Sequence, residues 1–229
     1  MTPEKCASEL EDIALRHPTI RFLLEKLEES GCAIDKRFFH VEECHKQVVG
    51  GFVPGKGISL CYNQIQTRTE MENMLAHELI HAYDDCARRN MNWMDLKHHA
   101  CSEVRAANLS GDCHWYVSID FRSTFSRAAL SMPSFSFALS SRFDSLRSIY
   151  ARLSLRMRRV NELFRGNLKL KGQHKTCAKR RAELSVAMSP VCEKREKDGI
   201  ESKEACARNA VEKVLDRCFA DTKPFDDIP

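Results

Sequence analysis

The stretch TRTEMENMLAHELIHAYDDC, residues 67–86, decides how the rest of the chain is read. Thr67 and Thr69 are each followed three residues later by a glutamate, Glu70 and Glu72, the spacing at which a threonine and a glutamate cap a helix start reciprocally. A helix is therefore expected from here to about Arg88, with Met71, Met74, Leu75 and Leu79 packing it against a core. On that helix His77 and His81 lie one turn apart on one face, so both imidazoles can reach one ion about 2 Å away, with Glu78 beside it. A zinc ion so held lowers the pKa of a water molecule, and a carboxylate within reach takes the proton as the water attacks a carbonyl. This is the division of labour in HExxH peptidases, with Glu78 the catalytic residue. The five residues alone are modest evidence, since a shuffled chain of this composition contains the pattern roughly 3% of the time. Their place in the middle of a capped helix makes a metal site the better explanation than two ordinary histidines.

Catalytic zinc takes three protein ligands and leaves one position open. A ligand six residues after His81 would fall on Ala87, which has no donor. Glu103, in the next helical stretch HHACSEVRAANLSGD, is the first choice for the third ligand, with His99 one turn earlier and Asp112 as rivals. Asp84 and Asp85 are expected to support the site or to face water, and Arg105 to orient a carboxylate or form a salt bridge.

Working outward, residues 48–63 (VVGGFV, PGKG, ISLCYN) read as two strands joined by a glycine-containing turn, and ISLCYN is expected to be the edge strand that receives a peptide substrate. Residues 9–30 place Leu10, Ile13, Ala14, Ile20, Leu23, Leu24 and Leu27 at helical spacing, interrupted at Pro18, which gives two short helices. A helix over Met94–Leu109 ends at Ser110-Gly111, and helical spacing returns from Val160 to Leu170, around Cys177 to Ala187 and from Lys203 to Phe219. The resulting fold class is α+β: a zincin-like domain, rich in helix, with a small antiparallel sheet against the HELIH helix.

Three parts follow. Residues 1–115 form the N-terminal part of the domain, with both metal-site helices, and 160–229 its C-terminal helical part. Between them, 116–159 holds eleven Ser and eight Arg but no Lys, Glu, Gly, Cys or His. Eight Arg against two Asp make this segment +6 in a chain whose total is +4, so the rest is −2 and the basic balance says nothing about the main domain's partners. It reads as a flexible insertion or translated non-coding sequence, or as an Arg-rich amphipathic segment on anionic lipid. No nucleic-acid reader motif accompanies the arginines, so no nucleic acid partner is expected.

With 43% hydrophobic and 30% charged residues the composition is that of a globular protein, and no apolar run is long enough to span a membrane, so membrane contact is expected to be peripheral. The N-terminus lacks the basic start and apolar core of a secretory signal. Eleven cysteines, no two closer than eleven residues, favour disulfides over a zinc ribbon, and the odd count leaves one thiol over. An oxidising compartment reached without a secretory signal points to the mitochondrial intermembrane space.

At GCAID, VVGGFVPGKGISLC, AHELIHAYDDC, HHACSEVRAANLSGDC and DTKPFDDIP the sequence resembles the mitochondrial inner membrane metalloproteases that process the precursor of ATP synthase subunit 6. The resemblance runs from about residue 6 to the C-terminus, except for 116–159. It implies a zinc endopeptidase of the intermembrane space, peripheral on the inner membrane, with His77 and His81 as metal ligands and Glu78 as the catalytic glutamate. It also implies a second activity, assisting assembly of the ATP synthase membrane sector without proteolysis. The alternative reading is a binding protein, an assembly chaperone in which the zinc site is structural. Several relatives have a cysteine where this chain has Val41, so Cys44 lacks that neighbour.

Overall fold

The computed structural model describes residues 1–113, apart from positions 33, 36, 46, 47 and 89, and residues 170–229. The Ser/Arg-rich segment 116–159 and most of the helical stretch expected from Val160 to Leu170 lie outside the described residues. Those from 1 to 113 and from 174 to 229 belong to one compact unit.

Pro18 sets the first break. It biases the preceding residue towards extended backbone, and His17 (ψ 121°) both ends α1 (Pro3–Arg16) and starts α2 (Pro18–Glu29), its ring accepting the Ile20 N–H. The two helices bury Cys6, Ile13, Ile20, Leu23 and Leu27. The anticipated hairpin is present as β2 (Gly50–Val53) and β3 (Gly57–Cys61), paired antiparallel with Phe52 opposite Ile58. A strand that the sequence did not reveal, β1 (Phe39–Glu42), runs parallel to β3 on its other side, so the sheet is mixed, in the order β1-β3-β2. The edge-strand expectation for ISLCYN needs correction: β3 is the central strand, with buried residues at four of five positions, and the edge nearest the HELIH helix is β2.

The HELIH helix, α3 (Arg68–Ala87), starts on Thr67, whose hydroxyl accepts the Glu70 N–H, while Glu70 Oε2 accepts from Gln66 N. It packs against α2, α4 (Leu96–Leu109) and the sheet, and so buries Met71, Met74, Leu75, Leu79 and Ile80 in the larger of the two main cores. Gly50 permits the close approach of β2, since an added Cβ would lie 2.6 Å from the Ser59 carbonyl oxygen and 2.8 Å from Met74 Sδ. α4 ends as expected at Ser110-Gly111, with Gly111 at φ 88°.

The C-terminal helices are α5 (Leu170–Ala187), α6 (Pro190–Lys197) and α7 (Lys203–Phe219). α7 is the main partner of α4, and a second core gathers Ala100 and Val104 from α4 with Ala182 and Val186 from α5 and Val211 and Val214 from α7. Five disulfides tie the elements: Cys32–Cys86, Cys44–Cys61, Cys101–Cys218, Cys113–Cys177 and Cys192–Cys206. Cys44 thus finds its partner on β3, and the thiol left over is Cys6, on the buried face of α1. Among the described residues no helix is long and apolar enough to cross a membrane.

Candidate metal centre

Because α3 is covered on several sides, its histidines are presented inward: His81 is 5% exposed and His77 partly buried, with ring centroids 4.8 Å apart. The facing α4 brings up Glu103, also 5% exposed. His77 Nε2 lies 3.6 Å from Glu103 Oε2, and His81 Nε2 lies 3.5 Å from Glu103 Oε1. The donor atoms of these three residues all lie within 4.8 Å of one another. Donors sharing a tetrahedral zinc ~2.0–2.1 Å away are separated by roughly 3.4 Å, so two imidazoles and a carboxylate fit that ion and leave a position open.

The other ring nitrogens are held. His77 Nδ1 is 3.0 Å from Asp112 Oδ2, and His81 Nδ1 is 2.8 Å from Ser102 Oγ. An imidazole that offers Nε2 to an ion carries its proton on Nδ1, and both neighbours can accept it, which fixes tautomer and ring orientation. Two further supports come from α5. Arg181 donates to Asp112 Oδ2 at 2.7 Å, and Ser185 Oγ donates to Glu103 Oε1 at 2.6 Å. His99 Nε2, 3.3 Å from that same oxygen, steadies Glu103 from within α4. Of the other two candidates for the third ligand, His99 contacts Glu103 and Asp112 contacts His77.

Charges in the cluster follow from these contacts. Burial pushes the His77 imidazole down, but its bonds to Asp112 and Glu103 outweigh burial and carry it up to about 10. Burial dominates at His81 and, with the His77 charge, holds it below the usual imidazole value. Burial opposes ionisation of Glu103, yet the surrounding imidazoles of His81, His77 and His99 hold it well below the carboxylate range. Asp112 is likewise lowered, burial being outweighed by His77 and Arg181.

Glu78, beside the cluster, points to the sheet. Its Oε2 accepts the Phe52 N–H of β2 at 2.7 Å, which leaves Oε1 for a water or substrate proton. Trp93, in the α3–α4 connection, places its ring edge-on to His81 and His99, with centroids at 5.6 and 5.8 Å, and 6.0 Å from Phe52. Asp85 anchors it by accepting the indole N–H at 2.6 Å. On the far side, Asp84 is buried with Arg105, which is fully buried. Arg105 Nε donates to both Asp84 oxygens at 3.1 and 3.2 Å, Nη1 reaches Asp221, and Nη2 reaches the Lys223 carbonyl. Arg88 bridges Asp84 and Asp221 at 2.8 and 2.6 Å. This ion network locks α3 to α4 and clasps the C-terminal segment on both, just beyond His81 and Glu103 in the two helices.

Ser102, Arg181, Ser185, Phe52 and Trp93 escaped the sequence reading. Ser102 had one available signal, its position directly before the candidate Glu103. The others carry none, because each meets the site through an element placed by the fold.

Three comparisons bear on this arrangement. The family described as the peptidase M76 family matches residues 4–130 and 148–226. The mitochondrial inner membrane protease ATP23 of Yarrowia lipolytica is 36% identical over 92% of this chain and 63% of its own length. The Schizosaccharomyces pombe protein of that name is 32% identical over 92% of the chain and 85% of its own length, and the Homo sapiens homolog 35% over 99% and 71%. The chain thus spans less than two thirds of the Yarrowia relative. No solved structure matches it significantly.

Proposed function

Because the chain belongs to the peptidase M76 family, we propose that it is a zinc-dependent endopeptidase in which His77, His81 and Glu103 hold the ion and Glu78 is the general base. The observation that carries this reading is the convergence within 4.8 Å of two imidazoles from α3 and a carboxylate from the facing α4, with Glu78 next to His77 on α3 and bonded to the neighbouring sheet edge. When bound, zinc supplies a Lewis acid that polarises a scissile carbonyl and brings the pKa of water towards neutrality. Glu78, held on one oxygen by Phe52 N–H, uses the other to take the proton of the attacking water and pass it to the departing amine nitrogen. Asp112 and Ser102 keep the two imidazoles turned inward throughout.

The place of action we propose is the mitochondrial intermembrane space, peripheral on the inner membrane. The relatives' names support the inner membrane, and five disulfides suit an oxidising compartment. The proposed substrate, the precursor of ATP synthase subunit 6, and the role in assembling the ATP synthase membrane sector rest on the sequence resemblance. Glu78→Gln tests the mechanism: zinc content should stay at the wild-type level while cleavage of the precursor falls about 10²–10⁴-fold. Cleavage within a few-fold of wild type would remove Glu78 from the chemistry. Rescue of ATP synthase assembly by this variant, without cleavage, would separate the second activity from the first.

A further inference from the structure

β2 is the sheet edge next to the cluster, and the Phe52 N–H that it turns away from β3 is the one bonded to Glu78. The Phe52 ring is therefore within one residue's reach of the general base. Trp93 meets that ring on one side and the His81 and His99 rings on the other. Both aromatics are only half-buried, although Trp93 touches a residue as enclosed as His81. The indole N–H is already taken by Asp85, and His99 is engaged with Glu103, so what the pair offers outward is apolar ring surface without a charge to meet a polar side chain.

We propose that Phe52 and Trp93 form the wall of a subsite that receives a bulky apolar side chain of the peptide, next to the bond being cleaved. This rests on the peptidase reading above and names the substrate class it would favour. A wall made by two rings from different elements, one tied to the general base and the other to a metal-facing imidazole, couples filling of the subsite to the reacting centre. A leucine or phenylalanine there removes its own surface and that of the rings from water. An alanine leaves the rings wet, and a lysine gives up hydration against two apolar ring faces.

The test uses the zinc-loaded full chain and capped peptides that differ at one position, carrying Leu, Phe, Ala or Lys, with cleavage sites located by mass spectrometry. The wild-type protein should prefer Leu or Phe beside the scissile bond over Ala by at least about tenfold in kcat/KM, within the roughly 10–200-fold range that apolar pockets achieve. That ratio should collapse towards one in Trp93→Ala and in Phe52→Ala, and largely survive in Trp93→Phe, which keeps a ring against His81. A wild-type ratio near one overturns the proposal. So does an equal slowing of Leu and Ala peptides in both alanine variants, because the rings would then only shield His81. If the wild type cleaves none of the peptides, their binding to zinc-loaded Glu78→Gln protein is measured by calorimetry. The same preference in Kd sustains the subsite although the hydrolytic reading has failed, and its absence removes the subsite as well.

Discussion

Replacing Ser185 with alanine isolates the contribution of α5 to the proposed metal centre. The change removes a 2.6 Å hydrogen bond from the Glu103 carboxylate and favours the helix that carries it. Glu103 is 5% exposed, so water does not replace the lost donor cheaply. A hydrogen bond to a buried charge contributes about 1.5–3 kcal/mol. His99 remains 3.3 Å from the same oxygen, which puts the loss at the lower end, ~1.5 kcal/mol, or roughly a tenfold weaker hold on zinc. Competition against a chromophoric chelator measures the affinity, with thermal unfolding of the metal-free proteins as a control for the fold. Ser185→Ala should raise the Kd about tenfold, and Ser185→Thr, which keeps the hydroxyl, should stay near wild type. A Ser185→Ala affinity within twofold of wild type, with the fold intact, would refute the reasoning, since α3 and α4 alone would then suffice to orient Glu103.

Gly50→Ala sets a Cβ 2.6 Å from the Ser59 carbonyl oxygen, so β2 must shift and carry Phe52 N–H away from Glu78. Stability should fall by about 1–3 kcal/mol in urea unfolding, with peptidase activity falling further than zinc content. Arg105→Leu leaves Asp84 buried without its main partner and should cost about 3–5 kcal/mol, seen as a lower midpoint in the same unfolding experiment. At Asp221 burial raises the carboxyl, but Arg88 and Arg105 outweigh it and the folded pKa lies below the unfolded value of about 3.9. The folded chain then holds the carboxylate more tightly than the unfolded one. That stabilisation is present above pH ~4 and is lost as pH falls through the folded pKa. The decline of Tm over this acid range should therefore be flatter in Asp221→Asn than in wild type.

Much of the local structure was legible. The breaks at Pro18 and Gly31, the cap at Thr67, the end at Gly111 and the hairpin around Gly55 are properties of adjacent residues, and their signals act over one turn. β1 was not legible, because four residues reading FHVE gain their strand character only from parallel pairing to β3. The expected edge strand became the central one for the same reason. α6 was missed as well, since eight residues starting at a proline and mostly charged show little apolar periodicity.

For the candidate site the division has one cause. His77, Glu78 and His81 lie within five residues, so helical geometry alone puts them together, and the sequence by itself determined that arrangement. Glu103 was a choice among three donors on one stretch, and only the crossing of α4 over α3, locked by Arg105 and Asp84, brings its carboxylate to both imidazoles. Phe52, Trp93, Arg181 and Ser185 reach the cluster from a sheet edge, an interhelical connection and a helix beyond residue 169. The pairing of ten cysteines was beyond reach for a similar reason, as bonds such as Cys101–Cys218 join positions 117 apart. Contacts at such separations depend on how buried surfaces of whole elements fit together, and that packing is settled only in the tertiary structure.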